Sequence, residues 1–335
     1  MQRMLLLGPT FFGYRRKVAE ECRNRGFDVV EMNDRPSEGV FFKSLSRSGS
    51  SALNVFISQY AKQLTKILKC GEFDKVIYLG GMSFCFSPSQ VKLFKSVTSA
   101  EWVAYLWDSI SNCGRLRQSI GLFDRVYSFD PSDCRRYGFM LRPLFYSEDL
   151  RTIPPLSEIA VCYEACFVGS VHQRKKFYRI KTMCDRISYE GCRVSRFFYM
   201  PSRLLGAFLR IGMAPYRNVK FEYVPLPGGV LKERYTRSVA IIDSPQENQL
   251  GLTARTIEAL GAKRKIITTN TDIKRYDFYN PDNVFVWDGQ SSPNKEFFEE
   301  PYVNLGDEVY DQYSLRRFAS TLLDGSDFFT GYSWE

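Results

Sequence analysis

Apolar positions in this chain fall into short runs, each followed by a polar turn and then by a longer stretch of helical period. The run from Met4 to Gly8 reads as a buried strand, with Gly8-Pro9-Thr10-Phe11-Phe12-Gly13-Tyr14 as the loop behind it. A helical pattern then reaches about Arg25, and residues 26–32 form the next strand pattern. Val55, Ile57, Tyr60, Leu64 and Leu68 supply the apolar positions of a helix over 51–69. Strands follow at 73–81, ending in a glycine turn, at 102–107 and at 124–129. Short buried strands separated by helical periods predict a parallel, doubly wound sheet.

The alternation breaks over 142–155, where Pro143, Pro154 and Pro155 bound a polar segment. A domain boundary is expected there, giving an N-terminal domain over 1–150 and a C-terminal one over 151–335, whose last helix can pack back on the first. The second series places strands at 159–169, 194–199, 219–224, 239–242, 265–268 and 284–287. Its helices fall near 174–187, 201–211, 229–237, 251–262 and 312–323. The predicted class is α/β, with two Rossmann-like domains in succession, and a length of 335 residues suits two such domains. Transferases, epimerases, phosphorylases and binding proteins all use this layout, so function has to come from particular residues.

Charge narrows the partners. A formal charge of +9 favours an anion: a nucleoside diphosphate, an acidic membrane surface or nucleic acid. The cations are scattered, as in Arg15-Arg16-Lys17, Arg135-Arg136, Arg174-Lys175-Lys176 and Lys263-Arg264-Lys265, so a nucleic-acid stripe is not expected. The nine cysteines include no CxxC pair; Cys162 and Cys166 are the nearest two, and free thiols in a reducing cytosol are expected. Residues 1–9 are too short for a signal peptide and no run reaches membrane-spanning length, so a cytoplasmic protein is expected. His172 is the single histidine, which removes histidine triads and two-histidine metal sites; no metal is expected, and a general base would be a carboxylate.

The richest stretch runs from Ile241 to Asn270 and reads as strand, polar loop, helix, glycine stop and strand. Gly251, Arg255 and Glu258 are spaced to share one helical face, while Thr253, Ile257 and Leu260 form another stripe. A helix start after a glycine loop offers N–H groups and a positive dipole to a diphosphate. A carboxylate further along can accept both hydroxyls of a ribose. Arg255 can meet phosphate, or pair with Glu258 on a solvated face, as in an ordinary amphipathic helix.

With these residues the chain resembles the GT-B glycosyltransferases, in particular the lipopolysaccharide, capsule and spore-coat (CgeB-like, group 1-like) branch. The likeness is carried by Gly251-Leu-Thr-Ala-Arg255-Thr-Ile-Glu258-Ala-Leu-Gly261-Ala and the strand ending at Thr268-Thr-Asn270. Looser similarity lies in Tyr105-Leu-Trp-Asp108-Ser, in 123–130 and in Phe167-Val-Gly-Ser170. The resemblance implies two domains facing each other across a cleft, a nucleotide-sugar donor of open base identity, and no cofactor beyond that co-substrate. It implies that Glu258 holds the donor ribose, that Gly251, Leu252 and Thr253 meet the pyrophosphate through backbone, and that the acceptor is a glycan or a lipid-linked molecule. One departure stands out: where many retaining members carry a second Glu, eight residues before the ribose-binding one, this chain has Leu250, with Glu247 and Gln249 beside it.

Three further places can carry chemistry. Phe167-Val-Gly169-Ser170-Val-His172-Gln-Arg174-Lys175-Lys176 ends a strand and opens a basic helix, suiting a phosphate edge or a plain turn. Asp108 and then Asp130 are the candidate bases, each following a strand, although Asp130-Pro131-Ser132-Asp133 also reads as a helix cap. The loop 8–14 lacks a full GxGxxG, so an NAD site is unsupported. Finally, the basic and apolar run 196–213 can press on an anionic membrane, or simply be a part-buried helix. A sugar-nucleotide epimerase and a non-catalytic nucleotide or glycan binder are the competing functions.

Overall fold

The computed structural model describes residues 1–10, 13–37, 51–247, 249–325 and 327–335. The chain forms two compact units: Met1–Pro143 with Leu315–Phe329, and Leu144–Ser314 with Thr330–Glu335.

In the first unit, six parallel strands run in the order β2-β1-β3-β4-β5-β6: β1 (Arg3–Leu7), β2 (Asp28–Met32), β3 (Lys75–Gly80), β4 (Glu101–Leu106), β5 (Arg125–Ser128) and β6 (Met140–Leu141). Helices Tyr14–Asn24, Ser51–Cys70, Pro88–Ser96, Gly114–Ser119 and Pro131–Tyr137 connect them, and the late helix Leu315–Asp324 belongs to this unit as well. Met4, Leu5 and Leu6 are fully buried, as are Val103 to Leu106, the continuous apolar runs of strands covered on both faces. Turn chemistry sets the ends. Ser87 and Gln90 make a capping box before Pro88, and Gly138, at φ 72°, stops the helix that Asp130 caps.

The second unit holds five parallel strands in the order β11-β10-β9-β7-β8: β7 (Tyr163–Ser170), β8 (Val194–Tyr199), β9 (Ser238–Asp243), β10 (Lys265–Thr268) and β11 (Val284–Val286). Its main helices are Arg174–Tyr189, Arg203–Gly212, Gly228–Thr236 and Ala254–Gly261. All six residues of β9 are buried.

Two expectations are corrected. Residues 219–224 form no strand; Glu222 makes only a bridge beside Tyr199, because its two backbone bonds, to Phe198 and Met200, extend the edge of β8 and nothing pairs further out. The helix expected over 251–262 starts at Ala254, since Thr253 caps it and leaves Gly251 in the loop. Within this helix, Arg255 forms its ion pair with Asp243. Phe11 and Phe12 of the loop after β1, and Asn248 of the loop after β9, lie outside the described residues.

Candidate functional site

In a doubly wound sheet, the crevice for a ligand opens beyond the carboxyl ends of two strands, where the chain reverses its direction of winding. In the second unit, β8 lies on one side of β7 and β9 on the other, so that point falls between β7 and β9. β7 ends at Gly169-Ser170 and β9 at Asp243, which places both predicted segments at the reversal.

Asp243 is 1% exposed and has two partners: the Arg255 guanidinium, by a short ion pair through Nη1, and Thr256 Oγ1 at 3.0 Å. Arg255 Nε donates to the Val168 carbonyl at 2.8 Å, and its guanidinium lies over the Phe167 ring at 5.0 Å. Burial opposes its charge, but Asp243, Tyr235 and Glu258 outweigh that and raise its pKa. Its Nη2 faces Gly169 and has no acceptor among the described residues. A Cβ at Gly169 would overlap that nitrogen, so any larger residue there would push the guanidinium from its place.

Lys176 joins this arginine from the first turn of the helix Arg174–Tyr189. Burial, reinforced by Arg255 and Arg179 and opposed by Asp243, pulls its ammonium down to about 8. No hydrogen bond or ion pair holds that ammonium among the described residues. Arg179 donates to the Pro245 carbonyl at 3.0 Å, while its Nε is buried with no partner among the described residues. Lys176 and Arg255 thus share the Asp243 carboxylate, with Arg179 close to Lys176, leaving a local excess of positive charge at the end of the sheet. The sequence reading reached Lys176 within its basic helix start but missed Arg179, one turn further on. Their helical spacing to Arg174-Lys175 was visible, but nothing in the pattern showed which basic residues turn inward.

The other predicted donor residues line the same loops. Thr253 caps its helix through Thr256 N at 3.4 Å, and Leu252 is buried. Gln249 Nε2 donates to the Gly251 carbonyl at 2.9 Å, and Asn270 Nδ2 to that of Leu250 at 2.8 Å, so the loop before the helix is braced by side chains. Glu258 is half-buried and accepts from Tyr235 Oη at 3.3 Å. Ser170 Oγ lies 2.6 Å from His172 Nδ1, and Arg174 is exposed. A separate recess of about 850 Å³ lies around Asp185, Arg186, Glu190 and Lys295, at the far end of the helix Arg174–Tyr189. Asp185 there already pairs with Lys181 and Arg196.

In the first unit, the two candidate bases differ. Asp130 is fully buried and saturated, accepting Ser132 N at 3.0 Å, Ser132 Oγ at 2.8 Å and Ser109 Oγ at 2.8 Å, so it is occupied as the cap of Pro131–Tyr137. Asp108, just past β4, accepts only Met82 N, at 3.2 Å, among the described residues, and burial raises its pKa in spite of that bond. Gly81 makes room for it, since a Cβ there would overlap the carboxylate. Asp133, beside Asp130, is pushed up to about 6 by burial, against the Ile110 N–H it accepts at 2.7 Å.

No family model and no curated protein matches the chain. Solved structures do. The S. aureus protein MnaA, solved with UDP, is similar at a TM-score of 0.53 and 10% identity over 96% of each chain. AviGT4, a glycosyltransferase involved in avilamycin A biosynthesis, is similar at 0.54 and 9% identity, over 96% of this chain and 95% of that one. The UDP-GlcNAc 2-epimerase from Neisseria meningitidis bound to UDP-GlcNAc reaches 0.45 at 9% identity, covering 97% and 99%, and nothing is built on that likeness. The architecture is the GT-B fold of two Rossmann-like units, each on its own parallel sheet.

Proposed function

We propose that this protein is a nucleotide-sugar-dependent glycosyltransferase. The observation that carries the reading is the cluster of Lys176 and Arg255 at the winding reversal of the second sheet, with the Lys176 ammonium held by no hydrogen bond or ion pair among the described residues and the Arg255 guanidinium against Gly169. A half-buried cation with no direct protein counter-ion among the described residues gains from an anion that completes it. A diphosphate fits that need, and the first turn of Ala254–Gly261 adds its dipole. Glu258, further along the same helix, is the ribose acceptor. Departure of a nucleoside diphosphate leaves negative charge on the leaving oxygen, which the same cations stabilise as it develops.

For an inverting transfer, Asp108 is the base that takes the proton from the acceptor hydroxyl as oxygen attacks the anomeric carbon. Its raised pKa and spare acceptor capacity suit that role better than the saturated Asp130. Support for a surface glycan or lipid-linked acceptor comes from the resemblance of residues 251–270 to the lipopolysaccharide and capsule branch. AviGT4, a glycosyltransferase, and MnaA, solved with UDP, share the fold and support the nucleotide half of the reading.

The test is a thermal-shift screen with UDP, GDP, ADP, CMP and dTDP and their sugars, followed by donor hydrolysis on any hit. One nucleotide should raise the midpoint by several degrees at about a hundredfold excess over its Kd. The shift should vanish in Glu258→Ala. Asp108→Asn should keep it while transfer falls by about 10²–10⁴-fold. Stabilisation without any hydrolysis or transfer would make the protein a binder. If no nucleotide acts, the proposal fails.

A further inference from the structure

The run 196–213, left between core and surface by its sequence, divides in two. Phe197 and Phe198 are buried in β8, and Arg196 pairs with Asp185 at 2.7 Å. The helix Arg203–Gly212, capped by Ser202, is apolar on two sides. Its inner side packs through Leu209 and through Gly206, which sits against Tyr223. Its outer side carries Leu204, Phe208 and Ile211 at 85%, 68% and 81% exposure. Spaced i, i+4 and i+7, these three form one stripe along the helix. The exposed large apolar residues elsewhere among the described residues, such as Met82, Tyr137 and Val303, are mostly single, as on any soluble surface.

Charge says what the stripe is for. Between 191 and 232 the sequence has seven Arg and Lys against one acid, Glu222. Arg203 begins the helix and lies over the Tyr223 ring at 5.5 Å. Arg217, just beyond its end, is exposed and has no side-chain partner among the described residues. Lys220 is almost fully exposed and pairs with Glu222 at 3.2 Å. Cations at the helix start and past its end therefore flank the apolar stripe, and the helix itself contains no carboxylate. A protruding helix of this kind fits the boundary between headgroups and acyl chains, with arginines at phosphate level and Leu, Phe and Ile below it.

We propose that the outer face of Arg203–Gly212 docks this protein on an anionic lipid bilayer. The proposal does not rest on the nucleotide reading, and its test needs no nucleotide. The full chain is co-sedimented with vesicles of phosphatidylcholine alone and of the same lipid with about one third phosphatidylglycerol. Binding should be confined largely to the anionic vesicles and should weaken as salt is raised. Leu204→Gln, Phe208→Gln and Ile211→Gln together should cut it about tenfold or more. The exposed positions should leave the circular-dichroism melt unchanged. Arg203→Gln with Arg217→Gln should reduce the preference for anionic lipid, a second measurement that stands if the triple variant fails to fold. Equal binding to both vesicles, or anionic binding that survives the triple substitution, would overturn the proposal. So would self-association in sedimentation velocity that the triple variant abolishes, since the face would then belong to a second copy.

Discussion

Lys176 sets the behaviour at the scale of one residue. Its folded pKa of about 8 lies below the ordinary lysine value of 10.5. Between those values the unfolded chain binds more protons, so stability rises with pH across that window, and below it the full penalty of the buried charge remains. Lys176→Met should accordingly stabilise the unliganded protein by about 1–3 kcal/mol at neutral pH. It should also lose most of the nucleotide-induced shift, which a thermal melt with and without ligand would show. In the unsubstituted protein, affinity should fall by up to ~10-fold between pH 8 and 9 as the ammonium deprotonates; a flat titration by calorimetry would remove Lys176 from the site. The site was only partly legible in the sequence. Gly169, Arg255 and Glu258 stand out because glycine and charge break an apolar pattern, and the structure gathers Gly169 and Arg255 at one strand end. Burial of Lys176 depends on how its helix is rotated, and helical periodicity among four consecutive basic or polar positions cannot fix that.

At the scale of elements, the helix Ala254–Gly261 is held at both ends by small features. Asp243 clamps its first turn through Arg255 and Thr256, and at its last residue Gly261 receives the Tyr146 ring, where a Cβ would overlap. Thr256→Val keeps the shape but removes one donor from a buried carboxylate. It should cost about 1–3 kcal/mol in urea denaturation. If the cost is negligible, water already serves Asp243. The strands were legible because buried parallel strands are continuous apolar runs, as β1, β3, β4 and β9 are. Residues 219–224 instead alternate apolar and polar and have no second neighbour to pair with among the described residues, so they stop at a bridge. β6, two residues long, has too little sequence to register as a period. The sequence shows Lys263-Arg264-Lys265 only as one of its scattered cation runs, yet Arg264 is buried and donates to the carbonyls of Tyr235 at 3.0 Å and Pro154 at 2.9 Å. Burial pulls its guanidinium down to about 10, which composition alone does not foretell.

Over the whole molecule, the chain completes its first unit only after building nearly all of its second. Leu315–Phe329 returns to the first unit, where Phe318 meets Tyr105 edge-on at 4.6 Å and Arg142 at 5.8 Å. Tyr127 Oη and Arg125 Nη2 donate to the carbonyls of Thr321 and Leu322, each at 3.1 Å. Phe318→Ala should cost about 3–5 kcal/mol, read as an earlier transition in urea by a probe placed in the first unit. A loss confined to the second unit would contradict the assignment of this helix. The same connectivity governs how the protein emerges from a ribosome. At synthesis rates of roughly 5–20 residues per second, Tyr105 and Arg142 wait on the order of ten to forty seconds for their covering helix. Throughout that interval the nascent first unit exposes an aromatic face, so holding chaperones should crosslink to it until translation passes the segment that ends at Phe329.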